Sequence, residues 1–275
     1  MPHFSWDGLS FHYRDSGQGI PFIFQHGLGG DANQPFGLFN PPSGIRLLCV
    51  DCRGHGRTLP LGDPEKITIA EFAHDLGIFM DSLSLKSAVV GGISLGAAVA
   101  LKFALSAPDR VLGLILSRPA WLDCPTPQNV RIYSSIAGLI RQNGASAGLD
   151  RFRHSDDYLE IKRQFPDAAE SLAKQFEEPR AEDAFVRLER LPADAPNRDR
   201  REWTSIKMPT LVLASRQDPI HPFEFGEILA QFIPRAVFKE ITPKSVSREQ
   251  HEADVQKAIA EFLNLNFPKA KGSTC

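Results

Sequence analysis

A single serine lies between two glycines in the segment Gly92-Ile93-Ser94-Leu95-Gly96, and its hydroxyl is well placed in the sequence for nucleophilic chemistry. A serine hydroxyl is a weak nucleophile at neutral pH and reacts only when a neighbouring base takes its proton. The apolar segment 88–90 precedes the glycines and an alanine-rich segment follows, so the pattern predicts a strand, a sharp turn and a helix. Glycines suit such a turn because it leaves no room for a Cβ atom. The sequence therefore predicts that Ser94 is a nucleophile exposed on a tight turn.

Strand-like and helix-like segments alternate on both sides of this turn. The N-terminal segment 4–13 alternates around Asp7-Gly8, which predicts a β-hairpin. Further strands are predicted over 20–25, 45–50, 86–90, 111–116, 210–214 and 236–241, and helices over 68–83, 95–106, 223–232 and 248–263. Alternating β and α elements favour a mainly parallel sheet with helices on both faces, which is the α/β class.

The alternation stops between about residues 122 and 203, where the sequence is charged, interrupted by proline and helical in its apolar spacing. This segment contains no strand candidate. Active sites on parallel sheets lie beyond the carboxyl ends of the strands, and an insertion that leaves from a strand end can cover such a site. We therefore expect a single domain in which 1–121 and 204–275 form the core and 122–203 form an inserted, all-helical lid.

Composition and charge indicate an ordinary soluble globular protein. Apolar residues make up 42% of the chain and charged residues 23%, and the formal net charge is −2. Neither a nucleic acid nor a membrane is expected as a partner, and neither a leader nor a membrane span is indicated, so a cytoplasmic location is the default expectation. The expected partner is a small-molecule substrate, and the sequence leaves open whether the chain forms a homodimer.

Four cysteines are too few to indicate a disulfide framework. Cys49 and Cys52 match a C-x-x-C pattern, but they lie at the end of a predicted strand. Side chains three residues apart on a strand point to opposite faces, so this pair is unsuited to binding one metal ion together. We interpret both as buried structural thiols and expect no metal and no cofactor.

Three further loops follow predicted strands and carry recognisable motifs. They are Gln25-His26-Gly27-Leu28-Gly29-Gly30, Asp51-Cys52-Arg53-Gly54-His55-Gly56-Arg57-Thr58 and Ser215-Arg216-Gln217-Asp218-Pro219-Ile220-His221-Pro222. Together with the serine turn, these motifs make the chain resemble the α/β-hydrolase superfamily over nearly its whole length. The resemblance implies that Asp218 is the catalytic acid and that the backbone amides of Leu28 and Leu95 form an oxyanion hole. It also implies that His26 and His55 are structural.

The base is where the chain departs from that family. In relatives, a histidine follows a glycine in the loop between the last strand and the final helix, whereas the corresponding loop 242–247 here has no histidine. In one hypothesis, His251 accepts the proton of Ser94 and is oriented by Asp218, which keeps the chain order Ser, Asp, His. In a second hypothesis, Lys244 is the base, which requires burial that lowers its pKa. In a third, no base remains.

Four more residues are candidates for places in or near the site. His221 follows Asp218 closely, and we interpret it as loop structure that can line the site. Asp123 is an alternative acid, because some relatives place the acid after the preceding strand. Arg118 and Trp121 leave that same strand end and can bind a substrate carboxylate and an apolar or aromatic body. A second interpretation is equally good: Arg118 is an arginine paired at the hinge of the lid, and Trp121 is a packed tryptophan beside it.

The resemblance implies a serine hydrolase that cleaves a small carboxylic ester or lactone through an acyl-enzyme. Hydrolysis of a C–C bond in a carboxylated, diketone-like substrate is an alternative that would suit a carboxylate-binding Arg118. The loop 242–247 without histidine favours a third function, in which the chain binds a small molecule and turns over little or nothing.

Overall fold

Eight strands form one sheet in the computed structural model, which describes residues 2–268. They are β1 (His3–Trp6), β2 (Leu9–Gly17), β3 (Gly19–Gln25), β4 (Gly44–Val50), β5 (Ala88–Ile93), β6 (Val111–Ser117), β7 (Thr210–Ala214) and β8 (Ala236–Glu240). In the order β1-β2-β4-β3-β5-β6-β7-β8, the pairings of β2 with its two neighbours are antiparallel and all others are parallel. The predicted α/β class with a mainly parallel sheet is confirmed.

Helices cover the sheet and fill the long segment between β6 and β7. The α-helices are α1 (Asn33–Leu38), α2 (Ile69–Ser82), α3 (Leu95–Ser106), α4 (Arg131–Arg153), α5 (Asp156–Gln164), α6 (Pro166–Glu177), α7 (Ala181–Ala184), α8 (Val186–Arg190), α9 (Phe223–Phe232) and α10 (Arg248–Asn266). Helices α4 to α8 lie between β6 and β7, and α4 is interrupted at Gly144, where φ is 75° and ψ is 168°. Among residues 2–268, no helix is long and apolar enough to cross a bilayer.

Capping residues in the sequence set where the helices begin. Thr68 Oγ1 accepts a hydrogen bond from the Glu71 amide at 3.1 Å at the start of α2. Ser247 Oγ accepts one from the Gln250 amide at 3.1 Å at the start of α10. Each bond satisfies a helix N–H group that has no partner within the helix. Helix α1 was not predicted, because its 6 residues are too few to show a helical period.

Apolar side chains pack on both faces of the sheet, since successive residues of a strand point to opposite sides. Along β5, Val90 belongs to the cluster that includes the buried residues of α2 and α3, whereas Val89 belongs to the cluster that includes those of α10. Every residue of β5 is buried. This central strand therefore holds the turn that follows it between two packed layers.

The carboxyl ends of β3, β5, β6 and β7 meet at one edge of the sheet, because these four neighbouring strands are parallel. The loops that leave this edge begin with His26, Ser94, Arg118 and Ser215. Residues that are far apart in the sequence are thereby brought together around the serine turn.

Candidate active site

The serine turn is strained and closely packed. β5 ends one residue before Ser94 and α3 begins one residue after it, with Ser94 at φ 57° and ψ −111°. Residues with a Cβ atom rarely adopt this conformation, and such strain clusters at functional sites. A Cβ on Gly92 would lie 2.2 Å from the Gly96 carbonyl carbon, and one on Gly96 would lie 2.4 Å from the Gln25 carbonyl oxygen. Both glycines are therefore required by the close approach of backbone segments.

Two backbone amides beside the serine are free to receive an oxyanion. Within residues 2–268, neither the Leu28 N–H nor the Leu95 N–H donates a hydrogen bond. The loop that carries Leu28 lies against the serine turn, since a Cβ on Gly27 would be 3.5 Å from Ser94 Cβ. Unpaired N–H groups at a strand-to-helix turn are the usual components of an oxyanion hole.

The carboxylate of Asp218 accepts hydrogen bonds from two neighbouring loops. Arg118 Nη2 lies 2.5 Å and Nε 3.1 Å from Asp218 Oδ2. The backbone amides of Ile220 and His221 donate to Oδ1 at 3.1 Å and 3.2 Å. Burial opposes ionisation, but Arg118 and His221 outweigh it and hold the pKa of Asp218 well below its ordinary value. Asp218 is therefore a fixed anion at neutral pH.

His221 is the histidine that contacts this carboxylate. Its Nδ1 lies 2.9 Å from Asp218 Oδ2 and 3.0 Å from Oδ1. Its Nε2 is buried and has no hydrogen-bond partner in the described part of the chain. Burial lowers the pKa of His221, and Arg118 lowers it further, against the opposing effect of Asp218. The spacing of three residues in the sequence was the signal that would have identified this pair.

His251 lies elsewhere, in the first turn of α10. Its Nδ1 donates to the Thr242 carbonyl oxygen at 2.7 Å, and its Nε2 is buried without a hydrogen-bond partner among residues 2–268. Burial, followed by the charge of Arg118, lowers the pKa of His251 to about 4. The hydrogen bond between Asp218 and His251 that the first hypothesis requires is not found within these residues. The structure therefore brings His221, rather than His251, to the carboxylate of Asp218.

Ser94 opens into a cavity of about 190 Å³ at the edge of the sheet. The core contributes Gly27, Leu28, Ser94, Arg118, Asp218, His221 and Lys244, and the helical segment contributes Tyr133 of α4 and Asp167, Ala168, Glu170, Ser171, Leu172 and Lys174 of α6. His251 and Trp121 are absent from the described residues that line it. Ser94, Asp218 and His221 thus share one small space with residues of α6.

Lys244 lies in the loop between β8 and α10, and the family resemblance predicts a histidine near this residue or Ser245. Burial, followed by the charge of Arg118, lowers the pKa of Lys244 to about 8. Its ammonium group makes no ion pair and no hydrogen bond with another residue of the described chain. It is therefore a cation of the cavity that titrates just above neutral pH.

The strands β4 to β8, the serine turn and the acid loop all lie within one match to a known family. A family model described as alpha/beta hydrolase fold matches residues 20–245. The chain belongs to the alpha/beta hydrolase fold family. Members of this family carry their nucleophile on the strand-to-helix turn where Ser94 lies here.

Relatives of this alpha/beta hydrolase match it over most of their length. AB hydrolase superfamily protein YisY of Bacillus subtilis is 27% identical over 283 residues, which cover 93% of this chain and 96% of YisY. A 2-hydroxymuconate semialdehyde hydrolase of Pseudomonas putida is 26% identical over 245 residues, or 83% of this chain and 81% of the relative. The enol-lactonase of Burkholderia xenovorans LB400 superimposes with a TM-score of 0.72 at 24% identity, covering 96% of this chain and 100% of the lactonase. This last likeness shows the fold alone.

In this alpha/beta hydrolase, the residues predicted to bind substrate are held by the protein itself. Arg118 is paired with Asp218, as described above, and Trp121 is 1% exposed and donates its indole N–H to the Leu191 carbonyl oxygen at 3.2 Å. Asp123, the alternative acid, is bound by Arg200 at 2.9 Å and 3.0 Å. Asp123 is not a lining residue of the serine cavity. The paired arginine and the packed tryptophan of the second interpretation therefore describe these side chains better.

The predicted structural histidines hold the loops of the hydrolase in place. His26 Nε2 accepts from the Cys52 amide at 3.0 Å, so its Nδ1 carries the proton and donates to the Gly27 carbonyl oxygen at 2.9 Å. His55 Nδ1 lies 2.8 Å from the Arg53 carbonyl oxygen. Burial lowers the pKa of both histidines, and both are therefore neutral in the fold. His26 in particular links the loop of Leu28 to the neighbouring strand end.

Proposed function

We propose that this alpha/beta hydrolase is a serine hydrolase that cleaves a small carboxylic ester or lactone through an acyl-enzyme. One observation carries the proposal: Ser94 stands on a strained turn with a hydroxyl that has no hydrogen-bond partner among the described residues, beside two unpaired amides. The backbone strain at such a serine costs about 1–3 kcal/mol of stability. The strained serine and the free N–H donors beside it have no evident structural purpose that would offset this cost. Nucleophilic attack explains both features.

In this mechanism, Ser94 Oγ attacks the carbonyl carbon of the substrate while a base accepts the hydroxyl proton. Negative charge then develops on the carbonyl oxygen, where the Leu28 and Leu95 amides can donate to it without reorganising. Loss of one such donor typically costs about 10²–10³ in rate. Collapse of the tetrahedral intermediate expels the alkoxide with a proton from the base, and water then releases the acid from Ser94.

The size and charge of the cavity suggest the class of substrate. A volume of about 190 Å³ suits a small ester or lactone better than a long acyl chain. Arg118 is paired with Asp218 and Lys174 with Glu170, so the lining cations available to a substrate carboxylate are Lys244 and Arg248. The solved structure of Est816, an N-acyl homoserine lactone degrading enzyme, is 25% identical to this chain with a TM-score of 0.60, and it supports a lactone as one substrate to test.

Hydrolysis of a C–C bond is the second candidate. The 2-hydroxymuconate semialdehyde hydrolase of Pseudomonas putida favours it, as does the unpaired ammonium of Lys244 beside the serine. In that reaction Ser94 attacks a ketone carbonyl, the C–C bond breaks, and the carbon leaving group takes the proton. A panel of neutral esters, lactones, carboxylated esters and carboxylated vinylogous diketones separates the two reactions by which substrates give product.

A fluorophosphonate probe tests whether the protein is a serine hydrolase or a binding homologue with little turnover. Such probes phosphonylate an activated serine, so we expect one adduct on the wild-type protein and none on Ser94→Ala. Ser106→Ala is the matched control, because Ser106 is an exposed serine at the end of α3 and should leave labelling unchanged. Wild-type protein that stays unlabelled, or Ser94→Ala that still labels, overturns the proposal.

A further inference from the structure

We propose that His221 is the general base of Ser94, in place of a histidine in the loop 242–247. The juxtaposition that carries this inference is an imidazole fixed by the catalytic acid and lining the same cavity as the serine. The inference rests on the proposed function, because a base has no task unless Ser94 is a nucleophile. It assigns a catalytic role to a residue of the acid loop itself.

The tautomer of His221 is set by its partners. Nδ1 lies close to two atoms of the carboxylate and 2.9 Å from Arg118 Nη2. A carboxylate only accepts and a guanidinium only donates, so one Nδ1 atom cannot satisfy both. Arg118 Nη2 donates its hydrogen bond to the ionised Asp218 at 2.5 Å, so it does not need Nδ1 as an acceptor. Nδ1 therefore carries a proton and donates it in a hydrogen bond to Asp218. This leaves the lone pair on Nε2, as a base requires.

The free nitrogen of His221 is buried and unsatisfied. An unpaired acceptor of this kind costs about 1–3 kcal/mol, and a fold retains it where the atom has a use. The Ser94 hydroxyl in the same cavity also has no partner within residues 2–268. Ser94 and His221 line the same small cavity, and their groups are complementary because the hydroxyl donates a proton and the ring nitrogen accepts one.

The proton balance of the reaction closes with His221 alone. As the bond from Ser94 Oγ to the carbonyl carbon forms, the hydroxyl proton moves to His221 Nε2. The resulting imidazolium is stabilised by Asp218 through the Nδ1 proton. The Nε2 proton then passes to the departing alkoxide oxygen. In the second half, His221 takes a proton from water and returns it to Ser94 as the acid leaves.

Charged groups around His221 favour its neutral form before the reaction. Arg118, from the loop after β6, and Lys244, from the loop after β8, both disfavour the imidazolium, whereas Asp218 favours it. The other titratable or charged groups that line the cavity are Tyr133 of α4, Asp167, Glu170 and Lys174 of α6, and Arg248 of α10. The pKa of His221 lies below its ordinary value, so the base is unprotonated at neutral pH.

The two rival bases lack one requirement each. Lys244 lines the cavity, but with a pKa of about 8 it is mostly protonated at neutral pH. His251 is neutral, but it is held by the Thr242 carbonyl and is not a lining residue of the cavity. His221 meets both requirements and has the carboxylate partner that orients a catalytic imidazole.

Four variants distinguish these candidates. His221→Gln, Lys244→Met and His251→Gln are compared with His154→Gln, a matched control at an exposed histidine whose side chain is 78% accessible. The measurements are the second-order rate of fluorophosphonate labelling and kcat/KM for a neutral phenyl ester. General-base catalysis contributes about 10²–10⁴ in rate, so His221→Gln should lose at least about 100-fold in both. Thermal unfolding and circular dichroism check that each variant is folded.

The outcomes separate this inference from the proposed function. If Ser94→Ala abolishes labelling while folded His221→Gln stays within tenfold of the wild type, His221 is not the base and the serine hydrolase stands. If the labelling rate and kcat/KM fall 100-fold in Lys244→Met or His251→Gln but not in His221→Gln, the substituted residue is the base instead of His221. Labelling that persists in Ser94→Ala overturns both the serine hydrolase proposal and the assignment of His221 as its base.

The pH profile of the wild-type protein tests the same point without a variant. With His221 as base, kcat/KM for the neutral ester should reach half its maximum below pH 6.5 and stay constant between about pH 7 and 9. With Lys244 as base, the midpoint would lie near pH 8. A midpoint near 8 that disappears in Lys244→Met overturns the assignment of His221.

Discussion

Arg118 Nη2 lies 2.5 Å from Asp218 Oδ2, so the arginine in the loop after β6 is bound to the aspartate in the loop after β7. Both side chains are nearly buried, with 13% and 11% of their surfaces exposed. Arg118 itself has a φ of 48°, a conformation that its backbone bond to the Leu213 carbonyl oxygen helps to hold. The pair joins the ends of two strands. The charge of Arg118 also lowers the pKa values of Asp218 and His221.

Removal of Arg118 should therefore move the pH profile. Arg118 lowers the pKa of Asp218 and of His221, so both pKa values should rise in Arg118→Met. The acid limb of kcat/KM for a neutral ester should move to higher pH, and the free energy of unfolding should fall by about 3 kcal/mol because a buried charge loses its partner. Arg118→Lys, which keeps the charge, should move the limb less. An unchanged limb in Arg118→Met contradicts the coupling.

The strain at Ser94 predicts that two inactive variants of this residue differ in stability. Ser94→Gly and Ser94→Ala should both be inactive, because neither carries the hydroxyl. Glycine adopts φ 57° and ψ −111° without strain, so Ser94→Gly should exceed Ser94→Ala in free energy of unfolding by roughly 1 kcal/mol. Urea denaturation of the two variants measures the difference. Equal stability would mean that the turn stores no strain.

The close packing of the serine turn is testable at Gly96. A Cβ there would meet the Gln25 carbonyl oxygen at 2.4 Å, so Gly96→Ala should lower the free energy of unfolding by about 2 kcal/mol and displace Leu95. Gly138→Ala in α4 is the matched control, because no atom lies within 4 Å of its added Cβ. That control should raise stability by about 0.5–1 kcal/mol. A Gly96→Ala protein as stable and active as the wild type would refute the packing argument.

Lys244 should contribute to the choice of substrate as a cation. Its pKa of about 8 means that the ammonium is present below pH 8 and is lost above it. KM for a carboxylated ester should therefore rise by about tenfold between pH 7 and 9, while KM for the matched neutral ester should change little. Lys244→Met should raise KM for the carboxylated ester at pH 7 and remove its pH dependence. Parallel curves for the two esters would count against this role.

His251 should make the protein sensitive to acid. Its pKa is about 4 in the fold and about 6.5 in the unfolded chain, so the unfolded state binds more protons between these values. Stability from this group is complete above pH 6.5 and decreases as the pH falls towards 4. His251→Gln should therefore lose less stability than the wild type between pH 7 and 5, by up to about 2 kcal/mol. His154→Gln should lose as much as the wild type, and equal losses in all three proteins would rule out the effect.

Most of the fold could be predicted because local patterns and packing agree. The predicted strand 210–214 and the helices 95–106 and 223–232 coincide with β7, α3 and α9. Buried apolar runs give the parallel strands, and capping residues such as Ser247 give the helix starts. Helix α1 and the break in α4 at Gly144 are short-range events that no period reveals.

Side-chain partners in the candidate site were harder to predict than its backbone. The serine turn is a local pattern, and the structure forms it as expected. Arg118 and Asp218 are 100 residues apart, so their pairing follows from the order of β6 and β7 in the sheet and not from any motif. The expectation for His251 came from chain order, which says nothing about where a ring points. The spacing of three residues places His221 and Asp218 in one loop, and the turn of that loop brings the ring to the carboxylate.

Trapping of the acyl-enzyme tests the central claim most directly. The purified protein is mixed with a small p-nitrophenyl ester, quenched in acid within milliseconds to seconds, and its mass and proteolytic peptides are measured. We predict a burst of p-nitrophenol and one acyl group on the peptide that contains Ser94, with neither in Ser94→Ala. Turnover of the ester with no acyl group on that peptide, or with the acyl group on another residue, contradicts the account.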